Sequence, residues 1–164
     1  MDSIIYYNSI KESYDNLYLS EQVKKIRFLV SKFKIKDSNT ILDVGAGSGI
    51  LESVLSKNKI TAIEPSDMAE ILIRRKLRNV SLIRKRIEDF NTDEKFDFIF
   101  CVTVLQDIDE REREKSIEKM FSLANTGSFI VISVLKVSGI DLSVLGPIET
   151  GEIENDRYFI FRKQ

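Results

Sequence analysis

No histidine occurs among the 164 residues of this chain, and cysteine occurs once, as Cys101. The first absence excludes Ser-His-Asp and Cys-His catalysis and every zinc site built on imidazole. The second excludes an internal disulfide and a thiolate-rich metal site. It also fits a reducing compartment, so a cytoplasmic protein is expected. Long hydrophobic runs are lacking too: none reaches the about 18 residues that a membrane span needs. The N-terminus, MDSIIYYNSIKESYDNLY, starts with an acidic residue and has no basic region, unlike a secretory signal. No acidic loop of the EF-hand kind is present, and no metal site is assigned. With a formal net charge of −1 the chain is no indiscriminate polyanion binder, although local basic patches stay open. What remains is chemistry supplied by a cofactor or by Asp, Glu, Lys and Tyr.

A hydrophobic share of 43% and a charged share of 31% are those of an ordinary globular protein, and the length suits one domain. Apolar residues at Leu19, Val23, Ile26, Val30 and Phe33 alternate steps of four and three, which predicts a helix over 19–33 with Ser20 as its cap. TILDV (40–44) reads as a short buried strand running into a glycine-rich loop. Helical spacing follows over 49–57, at Leu51, Val54 and Leu55. ITAIEPS (60–66) reads as a second strand, 67–77 as a helix, VSLI (80–83) as a third strand and FDFIFCV (96–102) as a fourth. Asp109, with Glu112 three residues on, predicts the start of a helix over 110–124 that buries Ile117, Met120, Phe121 and Ala124. GSFIVISVL (127–135) is the most strand-like stretch. Strands alternating with helices imply an α/β fold with right-handed crossovers and a mainly parallel sheet. The tail differs: in IETGEIENDRYFIFRK (148–163), Asn155-Asp156 separates two extended segments, which predicts an antiparallel hairpin at one sheet edge.

The loop DVGAGSG (43–49) lies between the first strand and the helix after it. Gly45 and Gly47 let the backbone turn tightly and approach a ligand that a Cβ would obstruct. Ser48 or Gly49 then opens a helix whose free N–H groups favour electronegative ligand atoms. The spacing is G-x-G-x-G followed by Ile50, not the G-x-G-x-x-G of dinucleotide folds, and no GK[ST] of a P-loop is present. Glu64 ends the second strand, where a carboxylate can accept both hydroxyls of a ribose. Nicotinamide enzymes also place an acid there, so Glu64 supports nucleoside binding without choosing the cofactor.

This compact loop, preceded by Asp43, resembles the first motif of class I S-adenosylmethionine-dependent methyltransferases. FDFIFCV followed by Leu105-Gln106-Asp107 is similar to that family's fourth strand, and YDNLYLSEQVKK (14–25) to the cap helix of its small archaeal-type members. The likeness spans roughly residues 14–135. RKRIEDFN (84–91) departs from the pattern. Aligned on Glu88-Asp89, the position of the family's adenine-binding Asp holds Arg86, which cannot accept a hydrogen bond. Glu88, Asp89 or backbone near Ile87 would then read the adenine.

The resemblance implies a single domain over 1–164: cap helices in 1–36 and a Rossmann-like core in 37–164. That core is a three-layer sandwich with a C-terminal antiparallel hairpin strand. It implies S-adenosylmethionine as cofactor, leaving as S-adenosylhomocysteine. The binding residues it implies are Asp43, Gly45, Ala46, Gly47, Gly49, Glu64, Pro65, Ile87, Glu88 and Cys101, with Pro65 or Met68 near the adenine. The methyl acceptor, a small molecule, a protein or RNA, is not named by it.

Because the sulfonium already activates the methyl group, aligning the acceptor can supply about 7–11 kcal/mol in favourable cases, and no obligatory catalytic residue is expected. Candidates for the acceptor side are Cys101, Thr103, Gln106 and Asp107. Asp107 either takes an acceptor proton or caps the next helix. Cys101 reads as a small buried residue rather than a nucleophile. The Asn-Pro-Pro-Tyr signature of amino-group methyltransferases is replaced by CVTV. Tyr14 and Tyr18 either close the methionine end of the cofactor or pack the cap helix. RRKLR (74–78) and RKR (84–86) either touch RNA phosphates or form a solvated face. Two other readings stay open: a non-catalytic scaffold or partner subunit, and a nicotinamide enzyme, which the glycine spacing disfavours.

Overall fold

The computed structural model describes residues 3–11 and 13–164, with the backbone alone for 14–17. Two helices come first, α1 (Ser3–Ile10) and α2 (Tyr14–Ser31). Then follow β1 (Thr40–Val44), α3 (Ile50–Val54), β2 (Lys59–Ile63), α4 (Met68–Arg74), β3 (Val80–Ile83) and β4 (Phe96–Val102). The chain ends with α5 (Glu110–Leu123), β5 (Ala124–Leu135), β6 (Glu149–Ile153) and β7 (Asp156–Arg162). The seven strands form one sheet in the order β3-β2-β1-β4-β5-β7-β6. β1 to β5 pair in parallel, and β7 joins β5 and β6 antiparallel.

Period-two alternation sends successive residues of the central strands to opposite faces. Ile41, Phe98, Phe100, Val131, Tyr158 and Ile160 face α2 and α3, where they meet Ile26, Leu29, Ile50 and Leu51. Leu42, Val44, Ile99, Cys101, Ile130 and Phe159 face the other way, onto Met120 and Leu123 of α5. Both faces of the parallel region are therefore covered, as parallel strands require. Reversal of strand order between β1 and β4 leaves a crevice at the carboxyl ends of the strands, the usual ligand position in such sheets.

Several expectations shift. α2 begins at Tyr14, so Ser20 lies inside it and caps nothing; its buried stripe centres on Leu29, and Leu19 is exposed. The predicted helices over 49–57 and 67–77 are shorter, and β2 ends at Ile63, leaving Glu64 on the loop beyond it. The hairpin turn is Glu154-Asn155, one residue earlier than expected, because Asp156 pairs with Ile153 as the first residue of β7. Asp109 does cap α5, accepting from the Arg111 N–H, but Glu112 does not close a capping box; its carboxylate pairs with Lys115. Helix α1 had no separate signal in the sequence.

Candidate active site

Residues on the loops after β1, β2, β3 and β4 meet at the crevice, and α1 lies across it. Together they line a cleft that opens to solvent, with polar groups set among apolar side chains as in small-molecule sites. Gly45 and Gly47 line it from the first loop, Glu64, Pro65, Ser66 and Met68 from the second, and Arg86, Ile87 and Glu88 from the third. Thr103, Val104, Asp107 and Ile108 come from the fourth, and Ser3, Ile4 and Tyr7 from α1.

Gly45 and Gly47 adopt φ of +77° and +53°. A Cβ on Gly45 would run into the Val104 side chain, so the loop and the end of β4 can touch only because this residue has none. At Gly47 the space a Cβ would enter is open. The Gly47 N–H donates to Glu64 Oε2 (2.8 Å), tying the first loop to the second.

Glu64 is less free than expected. Its Oε1 accepts from both the N–H (2.8 Å) and the hydroxyl (2.6 Å) of Ser66. A carboxylate has about four acceptor positions, so with Gly47 bound one remains, on Oε2.

Asp43, Ala46, Gly49, Cys101 and Gln106 do not line the cleft. Asp43 is buried beneath the loop and faces the buried Glu52 of α3. Burial drives the proton affinity of both carboxyls up, well above the ordinary range for Asp43 and to about 7 for Glu52. Neither Glu52 oxygen has a hydrogen bond of good geometry among the described residues, and its ionisable neighbours are Asp43, the Arg75 guanidinium and Glu64. Ala46 packs on Ala62 and Leu72, and Gly49 sits against Leu72. Cys101 points into the core under α5, where burial pushes its thiol up, the opposite of nucleophile activation. Gln106 turns its amide to the Thr103 carbonyl (2.7 Å) and to Asp107 Oδ2 (3.2 Å).

Asp107 faces the cleft instead of capping α5, a task that falls to Asp109. It is half-buried, and desolvation raises its carboxyl's proton affinity against the opposing bonds from Tyr7 and Gln106. The Tyr7 hydroxyl donates to Oδ2 (2.9 Å), the atom that Gln106 also reaches. Oδ1 has no hydrogen-bond partner among the described residues. The Ser3 hydroxyl donates to the Asp107 carbonyl (3.0 Å), Asn8 accepts from the Asp67 N–H (2.8 Å) and Lys11 pairs with Glu70 (2.8 Å). Helix α1 is thus fastened to both rims.

Of the two tyrosines read as either closing the methionine end or packing the cap helix, Tyr18 meets Tyr6 at the surface, and the Tyr14 side chain lies outside the described residues. Tyr7, a residue that no sequence signal singled out, lines the cleft. Asp89 is exposed and only Glu88 of the acidic pair reaches the cleft. In the basic runs, Arg84 pairs with Asp67 (2.8 Å) and Arg74 with Glu70 (3.9 Å). No group of metal-holding side chains occurs among the described residues.

A glycine loop, an acid after the second strand and a crevice at the strand ends define a nucleoside-cofactor enzyme of the Rossmann-like class. A methyltransferase-domain family model matches residues 16–162, and the chain belongs to that family. Among solved structures the chain is similar to the 1,6-didemethyltoxoflavin-N1-methyltransferase of Burkholderia thailandensis. That likeness has TM-score 0.77 and 14% identity, and covers 95% of this chain and 84% of that one. It is also similar to the magnesium protoporphyrin IX methyltransferase of Synechocystis PCC 6803 (TM-score 0.76, 15% identity, 99% and 95% covered). A third is a SAM-dependent methyltransferase from Aquifex aeolicus (TM-score 0.76, 19% identity, 96% and 98% covered). At these identities the likeness speaks for the fold. A comparison of the sequence with curated proteins finds no match.

Proposed function

We propose that this methyltransferase holds S-adenosylmethionine in the cleft and methylates a small acceptor that presents an N–H or O–H to Asp107. The observation that carries the acceptor half is the Oδ1 of a half-buried carboxylate on the cleft wall, an atom with no hydrogen-bond partner among the described residues. The residues suit the cofactor. Glu64 Oε2 has one acceptor position left for a ribose hydroxyl, and Pro65, Met68 and Ile87 offer apolar flanks for a base. Arg86 offers a planar guanidinium that stacks rather than accepts. When bound, this cofactor supplies a methyl group already activated on a sulfonium.

The chain's own part is alignment and proton removal. Tyr7 and Gln106 hold Oδ2, which orients Oδ1. An acceptor N–H or O–H held at Oδ1 would give its proton there, and the raised proton affinity of Asp107 makes it the better base. The strap of α1 over the mouth favours a small acceptor over RNA or a folded protein, and Arg74 and Arg84 of the basic runs are engaged in ion pairs. The lone buried Cys101 supports a cytoplasmic setting. No described helix is long and apolar enough to cross a membrane.

Titration calorimetry tests the cofactor: S-adenosylmethionine and S-adenosylhomocysteine should bind and NAD should not. Binding of NAD alone would overturn the reading. Once a small-molecule screen supplies an acceptor, Asp107→Asn should lower kcat by about 10²–10⁴-fold with the cofactor affinity kept, the range for a lost general base. An unchanged kcat removes the base from the mechanism.

A further inference from the structure

Thr103, the first residue after β4, has φ +59°. A β-branched residue rarely takes that conformation, so surrounding contacts must hold it there. They are unusually complete. The Thr103 N–H donates to the Ser133 carbonyl (3.0 Å) and to Ser133 Oγ (3.1 Å). The Thr103 and Ser133 hydroxyls both donate to Asp156 Oδ2, each at 2.6 Å. Asp156 Oδ1 accepts from Lys25 (2.8 Å), whose ammonium also reaches Thr103 Oγ1 (3.3 Å) and Glu21 (2.7 Å). Lys25 and Asp156 are both wholly buried, yet every donor of Lys25 has a partner. Burying such a pair seldom adds stability over apolar residues of similar size, so its presence calls for another reason.

The backbone beyond Thr103 supplies one. Val104 packs on Gly45 in the cofactor loop, and Asp107 follows one turn later on the cleft wall. Both positions depend on the direction in which the chain leaves Thr103. We propose that Lys25, Ser133 and Asp156 are positioning residues: they hold Thr103 in its left-handed conformation and so set Val104 against the glycine loop and Asp107 at the acceptor. The inference rests on the proposed cofactor site for its functional consequence, though not for its structural one.

Glycine needs no such holding, which gives the test. Asp156→Asn should weaken binding of S-adenosylhomocysteine in calorimetry by about tenfold, or about 1.4 kcal/mol. In the Thr103→Gly background the same substitution should change affinity by less than about twofold, the margin within which independent sites add. An Asp156→Asn effect of equal size in both backgrounds overturns the proposal, because a merely structural loss would not depend on residue 103. Amide exchange gives a readout that needs no ligand. Protection at 103–107 should fall in Asp156→Asn while that of β1 is kept, and unchanged protection at 103–107 also overturns it. Should Asp156→Asn not fold, Ser133→Ala leaves the ion pair intact and is expected to act in the same direction in both assays. If the unsubstituted protein binds no S-adenosylhomocysteine, the cofactor reading falls and exchange alone decides the positioning role.

Discussion

At the residue scale the protein's acids divide by how much water they keep. Asp107 keeps one oxygen free at the cleft, Glu64 gives up three of its four acceptor positions to the loops, and Asp43 and Glu52 keep none. The last pair carries a consequence for stability. Glu52 titrates at about 7 in the folded chain against an ordinary 4.5, chiefly through burial. The native state therefore binds this proton more tightly than the unfolded state, and stability falls as pH rises between these two values. The loss is on the order of a few kcal/mol, from about 1.4 kcal/mol per pH unit. Denaturant melts at about pH 5 and about pH 8 should show the lower stability at the higher pH. Glu52→Gln should flatten that difference. A profile unchanged by the substitution would place the titrating proton elsewhere. Asp43, expected at the cofactor, lies buried outside the cleft lining, while Glu64 was visible in the sequence because strand ends beside glycine loops have fixed neighbours. Glu52 was not, because only the packing of α3 under the loop brings it to Asp43.

Among the elements, α1 is the one whose role was hidden. It buries no residue fully, and polar bonds to Asp107, Asp67 and Glu70 hold much of it in place. An element with few buried apolar contacts belongs to the least stable part of a fold, which suits a cover that must open for ligands. Tyr7→Phe removes one fastening and one donor to Asp107 Oδ2. S-adenosylhomocysteine should then leave several-fold faster, about 1 kcal/mol for one hydrogen bond, as read by stopped-flow displacement. A dissociation rate equal to that of the unsubstituted protein would show that α1 does not gate the cleft. The strands were far more legible: the apolar runs 80–83 and 96–102 coincide with β3 and β4. Short buried strands announce themselves by continuous apolar residues. A helix held by side-chain hydrogen bonds to loops distant in sequence leaves no such period.

On the scale of the whole molecule, the cleft draws on all four loops at the strand ends and on α1, so one ligand would touch segments from most of the length of the chain. A ligand that binds only the folded chain stabilises it by about 2.7 kcal/mol at a hundred times its Kd. Addition of S-adenosylhomocysteine should therefore raise the melting temperature by several degrees, and NAD at the same concentration should not. Absence of any shift with either would favour a scaffold without cofactor.

The sequence alone determined the α/β alternation, the order of the strands along the chain, the glycine loop and the acid after β2. Each is a local pattern of side-chain size, polarity or missing Cβ, and such patterns act within a few residues. Tertiary structure decided what distance in sequence conceals. It turned Asp107 to the cleft and Cys101 to the core, closed Tyr7 over the site and set Lys25 on Asp156. Lys25 lies in the second helix and Asp156 opens the last strand, so no local period links them. Burial joins them, because a charge withdrawn from water must find its opposite wherever the fold brings one within reach.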